Sequence, residues 1–185
     1  MENKFGFVSL SGRTNVGKST LLNAFFQKKI AITSRKPQTT RNRILGILTE
    51  EKSQIVFLDT PGVHLGYKRQ LNKVMNKIAS HCYEEVDLVL FLIDRFKWQK
   101  EEENILKSLK NLNKPVVLVI NKIDRLSDKT KLLVFIKDIS EKFNFLSIVP
   151  ISALKKDNLM ELKKVILNNL ETGPHHFPED SLTEF

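Results

Sequence analysis

The chain reads as an α/β protein: a mostly parallel six-stranded sheet with one antiparallel strand and helices on both faces. Three observations predict this. First, short runs of continuous apolar residues alternate with amphipathic stretches along the 185 residues, the pattern of strands buried on both faces and joined by helices. Second, two apolar runs, 43–49 and 54–58, are separated only by Glu50–Ser53. That turn is too short for a parallel crossover, so this pair is antiparallel. Third, the first apolar run passes through a glycine-bearing loop directly into a helix-like stretch.

The elements follow in order. Phe5, Phe7, Val8 and Leu10 mark the first strand, and Thr20 to Phe26 the first helix. Arg43–Thr49 and Gln54–Leu58 form the strand pair. Lys68–Cys82 reads as a helix, with Leu71, Val74, Met75, Ile78, Ala79 and Cys82 on one face and Lys73 and Lys77 on the other. Asp87–Ile93 is a buried strand. Gln99–Leu112 is a helix with Ile105, Leu109 and Leu112 inward, and its early Glu101, Glu102 and Glu103 suit the positive end of the helix dipole. Pro115–Ile120 is a buried strand, Asp128 to Lys142 a helix, Leu146–Val149 a strand and Asn158–Leu170 the last helix. From Gly173 the periodicity stops, so residues 1–172 form the domain and 173–185 a linker or frayed end. No internal repeat or low-complexity segment is present.

Bulk properties narrow the class. The length suits one domain, and 41% hydrophobic residues exclude wholesale disorder. The longest apolar runs, Leu88–Ile93 and Val116–Ile120, are far too short to span a bilayer, and Met1–Lys4 lacks the apolar core of a signal peptide. The single cysteine, Cys82, forms no internal disulfide and reads as a small core residue. A reducing compartment, the cytoplasm, is expected. The formal charge of +9 has two readings of equal weight. One is an anionic partner such as RNA or an acidic membrane surface; the other is plain solubility.

The chemistry is concentrated in short motifs. Gly12, Arg13, Thr14, Asn15, Val16, Gly17, Lys18 and Ser19 have the spacing of a phosphate cradle, and Thr20 continues it. Backbone N–H groups and the helix dipole converge there on one anion site. Gly12 and Gly17 let the chain curl, Lys18 reaches the β- and γ-phosphates, and the Ser19 hydroxyl suits Mg²⁺. A nucleoside triphosphate is the implied ligand.

Other motifs sit just past predicted strands, where ligands of such sheets collect. In Asp59, Thr60, Pro61 and Gly62, an acid past a buried strand holds Mg²⁺ directly or through water, and the Gly62 N–H approaches the γ-phosphate. In Asn121, Lys122, Ile123 and Asp124, the Asp124 carboxylate offers acceptors to guanine N1–H and N2. Adenine presents an N1 acceptor there, so such a site discriminates by about 10⁴ or more. Asn121 serves the other edge of the base, and the Lys122 stem lies along its plane. Ser152, Ala153 and Leu154 corroborate, with the Ala153 N–H available to guanine O6. In the polar stretch Gln38–Arg41, Thr40 is the preferred Mg²⁺ ligand in the presence of the γ-phosphate, with Thr39 as the alternative. Lys18, Thr40 and Gly62 are the residues expected to act on the transferred phosphoryl group.

This order of motifs resembles the P-loop GTPases. The segments Ile32–Arg41, Asp59–His64, Ile148–Ala153, Met75–Lys77 and His175–Asp180 closely resemble the Era family of bacterial ribosome-assembly GTPases. The resemblance covers essentially the whole chain. It implies GTP hydrolysis to GDP, binding to the small ribosomal subunit through 16S rRNA, and peripheral association with the inner membrane. Era-family members carry a KH domain after the His-His-Phe-Pro tail, so the resemblance implies that this RNA-reading module is absent here. They also usually have Pro where this chain has Thr14. Basic residues Arg35, Lys36, Arg41 and Arg43 crowd the threonine loop.

Many signalling GTPases place Gln directly after Asp-x-x-Gly, whereas this chain has Val63, which offers no side-chain hydrogen bond. Intrinsic turnover is expected on the order of 10⁻³ s⁻¹ or below, and a nucleotide-gated binding module with negligible hydrolysis is the alternative. Asn15 either supports a K⁺ ion near the phosphates, as in related GTPases, or merely braces the loop.

Overall fold

The computed structural model of the protein describes residues 3–26, 43–59, 86–128 and 130–177. The expected helix Lys68–Cys82, the loop bearing Thr39 and Thr40, and Thr60, Pro61, Gly62 and Val63 lie outside the described residues. Arg43 and Asp59 are described by their backbone alone.

The order is β1 (Lys4–Ser11), α1 (Lys18–Phe26), β2 (Arg43–Glu50), β3 (Ser53–Asp59), β4 (Leu88–Asp94), α2 (Lys100–Lys110), β5 (Val116–Asn121), a short 3₁₀ turn (Ile123–Arg125), α3 (Thr130–Ser140), β6 (Ser147–Pro150), α4 (Leu159–Asn168) and β7 (Glu171–Thr172). The sheet runs β2-β3-β1-β4-β5-β6, with β7 attached to β1. Pairings β1–β3, β1–β4, β4–β5 and β5–β6 are parallel. β2–β3 is antiparallel, as the short turn requires.

The apolar runs become central strands because both of their faces are covered. All seven residues of β4 and all six of β5 are buried. Alternate side chains divide between two cores. On one face Leu90, Leu92 and Val117 pack with α1 and α4 through Leu21, Leu162 and Ile166. On the other, Phe91, Ile93 and Leu118 pack with α2 and α3 through Ile105, Leu109 and Ile139. At the first core, Phe25 stacks on Phe57 with ring centres 5.7 Å apart, and Phe26 meets the same ring edge-on at 5.9 Å.

α2 begins where the sequence suggests. Its first turn carries Glu101, Glu102 and Glu103 and its last turn Lys107 and Lys110, so charge complements the helix dipole at both ends. The Glu102 carboxylate also accepts the Gln99 N–H at 2.9 Å, occupying a donor that the helix cannot use.

The chain after α4 is the main departure from expectation. Gly173–Phe177 forms no repeating structure, but it is fastened rather than frayed. β7 pairs antiparallel with Lys4 and Phe5, the Gly173 N–H donates to the Asn3 carbonyl at 3.0 Å, and Phe177 packs on the second core. Fully buried Gln54 of β3 holds the segment. Its Oε1 accepts the His176 and Phe177 N–H groups at 3.0 and 2.9 Å. Its Nε2 donates to the Phe177 carbonyl at 2.8 Å and to Thr49 Oγ1 at 3.0 Å.

Candidate functional site

β1 lies between β3 and β4: the chain runs from it outward to β2 and β3 and then takes up β4 on its other side, so the strand order reverses at β1. The carboxyl end of β1 is therefore the switch point at which open α/β sheets bind ligands. Gly12–Gly17 fills that point, and α1 starts immediately at Lys18. Gly12 and Gly17 have φ of +141° and +107°. A Cβ at Gly12 would meet the Leu92 carbonyl, and one at Gly17 the Asn121 side-chain amide. Both glycines are thus required by φ and by space. Val16, 1% exposed, pins the loop into the first core, while Thr14, Asn15, Ser19 and Thr20 face solvent.

The loop's carbonyls are bound by side chains. Lys18 Nζ donates to the Gly12 and Arg13 carbonyls at 2.5 and 2.8 Å. Asn121 Nδ2 donates to the Val16 carbonyl at 2.8 Å, and Lys122 Nζ to the Asn15 carbonyl at 2.7 Å. In a planar trans peptide the carbonyl oxygen and the following amide hydrogen point opposite ways. Fixing the Asn15 and Val16 carbonyls therefore turns the Val16 and Gly17 N–H groups away from Lys122 and Asn121. Oriented amides of this kind are what an anion-binding nest consists of.

Asn121 closes β5 and is 2% exposed. Its Oδ1 accepts the Ala153 N–H at 3.0 Å and the Lys122 N–H at 2.8 Å. It therefore fastens the cradle, its own turn and the Ser152–Leu154 segment together. The Ala153 N–H, expected to serve guanine O6, here donates to Asn121. Asp124 is exposed in the 3₁₀ turn, and its Oδ1 accepts the Ser152 hydroxyl at 2.5 Å. Ser152 is fully buried and itself accepts the Lys155 N–H at 3.1 Å, so the carboxylate is aimed by a rigid neighbour. Leu154 is 64% exposed. The Asp59 backbone pairs with Leu10, which ends β3 at the same edge. Of the expected site residues, the structure gathers 12–20, the Asp59 backbone, 121–124 and 152–154 along one rim of the sheet.

Two residues of this rim are not among the site residues expected from the sequence, although Glu102 is expected there as a helix-dipole partner. Asp94 closes β4 beside Asn121 in register. Its Oδ2 meets Lys122 Nζ at 2.8 Å and its Oδ1 meets Arg95 Nε at 2.9 Å. Burial pushes its carboxyl upward, but the Lys122 and Arg95 hydrogen bonds and charges outweigh that and hold it below the usual aspartate range. Glu102 has a fully buried side chain, and its Oε1 lies 2.7 Å from Nε of Arg13. The signals were there: Asp94 ends an apolar run as Asp59 and Asn121 do, and Gln99-x-x-Glu102 has helix-start spacing.

The fold and this rim are those of the P-loop GTPases, with the glycine loop at the carboxyl end of β1 and the Asn121–Asp124 turn two strands away. Residues 7–122 match the family model described as 50S ribosome-binding GTPase, and the chain belongs to that family. It is 51% identical over 179 residues to the GTPase Era of Haemophilus influenzae strain PittGG, covering 97% of this chain. The chain spans 59% of the length of that relative. A crystal structure of Era in complex with MgGDPNP and nucleotides 1506–1542 of 16S ribosomal RNA superposes with a TM-score of 0.84 at 44% identity, covering 99% of this chain and 62% of the other. A single-site variant of Aquifex aeolicus Era bound to GDP.AlF4⁻ gives a TM-score of 0.82 at 45% identity, covering 98% and 62%. The motif resemblance to the Era family is thereby borne out.

Proposed function

We propose that this chain binds GTP and hydrolyses it to GDP and phosphate as a molecular switch of the Era type. The single observation that carries this is the common rim: a cradle with two amides turned by Asn121 and Lys122, and an exposed carboxylate, Asp124, aimed by Ser152. In this reading the cradle N–H groups and Lys18 hold the phosphates. Asp124 accepts from guanine N1–H and N2, and the Ala153 N–H is shared between Asn121 Oδ1 and O6 of the base.

Ser19, Thr40 and Asp59 are the residues we assign to Mg²⁺; a hydroxyl pair with a carboxylate is a hard oxygen set of the kind that ion prefers. The exposed Ser19 at the head of α1 fits this role. Bound Mg²⁺ would neutralise charge on the β- and γ-phosphates. In this reading the Gly62 N–H would serve the γ-phosphate, and Val63, whose side chain offers the attacking water no hydrogen bond, would leave turnover slow. Asn15, exposed at φ +62°, is assigned to a supporting K⁺.

In this reading residues 1–172 carry the GTPase activity, and Gly173–Phe177 is fastened to them through β1 and Gln54. The 16S rRNA of the small ribosomal subunit is the proposed partner in ribosome biogenesis, in the cytoplasm. The support is the solved Era complex with that RNA together with the charge of +9. The same charge suits peripheral contact with an acidic inner-membrane surface.

Phosphate release with Mg²⁺ and GTP tests hydrolysis. Release no faster than the decay of free GTP leaves the nucleotide-gated binding module in its place. Specificity is tested by Asp124→Asn. The amide donates where the carboxylate accepted, so GTP affinity is expected to fall at least about a hundredfold while xanthosine triphosphate gains. Calorimetry showing undiminished GTP binding by this variant would remove the guanine assignment.

A further inference from the structure

Lys122 adopts a left-handed backbone, φ +65°, and Arg95 after β4 does the same at φ +52°. Neither is glycine, and such residues persist only where their surroundings over-determine them. Here the two strand ends determine each other. The Arg95 N–H donates to the Asn121 carbonyl at 3.0 Å, and Asp94 stands beside Asn121 in register. Asp94 is 6% exposed, and each carboxylate oxygen meets one cation. The Lys122 ammonium bridges that carboxylate and the Asn15 carbonyl.

We infer that Asp94 is a positioning residue for nucleotide binding: it holds the Lys122 ammonium on the Asn15 carbonyl and so fixes the Val16 amide in the cradle. This rests on the guanine-nucleotide reading of the rim. Lys122 alone has a long, flexible stem and many rotamers. A buried carboxylate at 2.8 Å selects the one that reaches across to Asn15. The carbonyl is then directed at Lys122, and the N–H of the same peptide is directed away. Asp94 thus ties the base-reading turn to the phosphate cradle without touching either part of the nucleotide. Because GTP and GDP use the same cradle, the effect falls equally on both.

Asp94→Asn keeps the shape and removes the charge. Isothermal titration is expected to show GTP and GDP both bound about tenfold more weakly, the loss of one charge-assisted hydrogen bond. In a Lys122→Met background the same change is expected to add nothing, because the ammonium it acts through is gone. An equal loss in both backgrounds, or a loss confined to GTP, overturns the positioning role. The nucleotide-free protein supplies an independent readout. The Val16 amide resonance is expected to move in Asp94→Asn, and an unmoved resonance overturns the role whatever the titrations give. A wild-type protein that binds neither nucleotide, with the resonance shift present, overturns only the reading of the ligand. Thermal melts of each variant establish that it is folded.

Discussion

At the tip of β4 one carboxylate serves two cations, and its acid behaviour follows. The folded-state value of Asp94 lies below its ordinary one, so the ion pairs contribute stability that is fully present above the unfolded pKa of about 3.9. That contribution is lost as pH falls through the lower folded value. Acid unfolding of the wild type is therefore expected to steepen below about pH 4, and Asp94→Asn to lack that part of the slope. Parallel acid titrations followed by circular dichroism would refute this if the two slopes matched. At this scale the sequence exposes only what is local. The cradle glycines and lysine lie within one turn of chain, and the Asn121–Asp124 spacing is equally short. Asp94 has Arg95 adjacent as one partner, but Lys122, the partner that reaches the cradle, lies 28 positions away from it. Only the register of β4 against β5 brings the two together, and no spacing rule encodes it.

Between elements, the strut from Arg13 to Glu102 joins the cradle to α2. Arg13 also approaches Gln99 Oε1 at 3.4 Å, so the guanidinium bears on the first turn of that helix. Glu102 is buried with Arg13 as its cationic neighbour. Removing one member of such a pair strands the other charge away from water. Arg13→Ala is expected to cost about 3–5 kcal/mol of unfolding free energy. Glu102→Met, which removes the charge and fills the space, is expected to cost less. Urea denaturation of both variants checks the order; equal costs would mean the charge is not the cause. The strands themselves were legible because parallel strands buried on both faces are unbroken apolar runs. The helices were legible from their 3.6-residue period. β7 was not: Glu171 and Thr172 are polar and exposed, and they pair only because β1 offers an open edge beyond the start of β4.

Across the whole molecule, β3 serves both rims of the sheet. Its Asp59 end closes beside the cradle, and its Gln54 end clasps His176 and Phe177, whose sequence separations of 122 and 123 residues hide the partnership from any local reading. His176 also packs on Phe5, with ring centres 4.3 Å apart. Gln54→Leu would leave two part-buried N–H groups and a carbonyl of the tail without their acceptor and donor. The expected loss is about 1–3 kcal/mol, with faster hydrogen exchange confined to the His176 and Phe177 amides. Unchanged exchange at those two positions would show that packing alone retains the tail. Phe177 leaves the sheet beside the starts of the parallel strands, whereas the cradle crowns their finishes. A biosensor tether or bulky fluorophore grafted downstream of Phe177 would accordingly anchor the molecule by its floor and leave its mouth open to the surrounding solution.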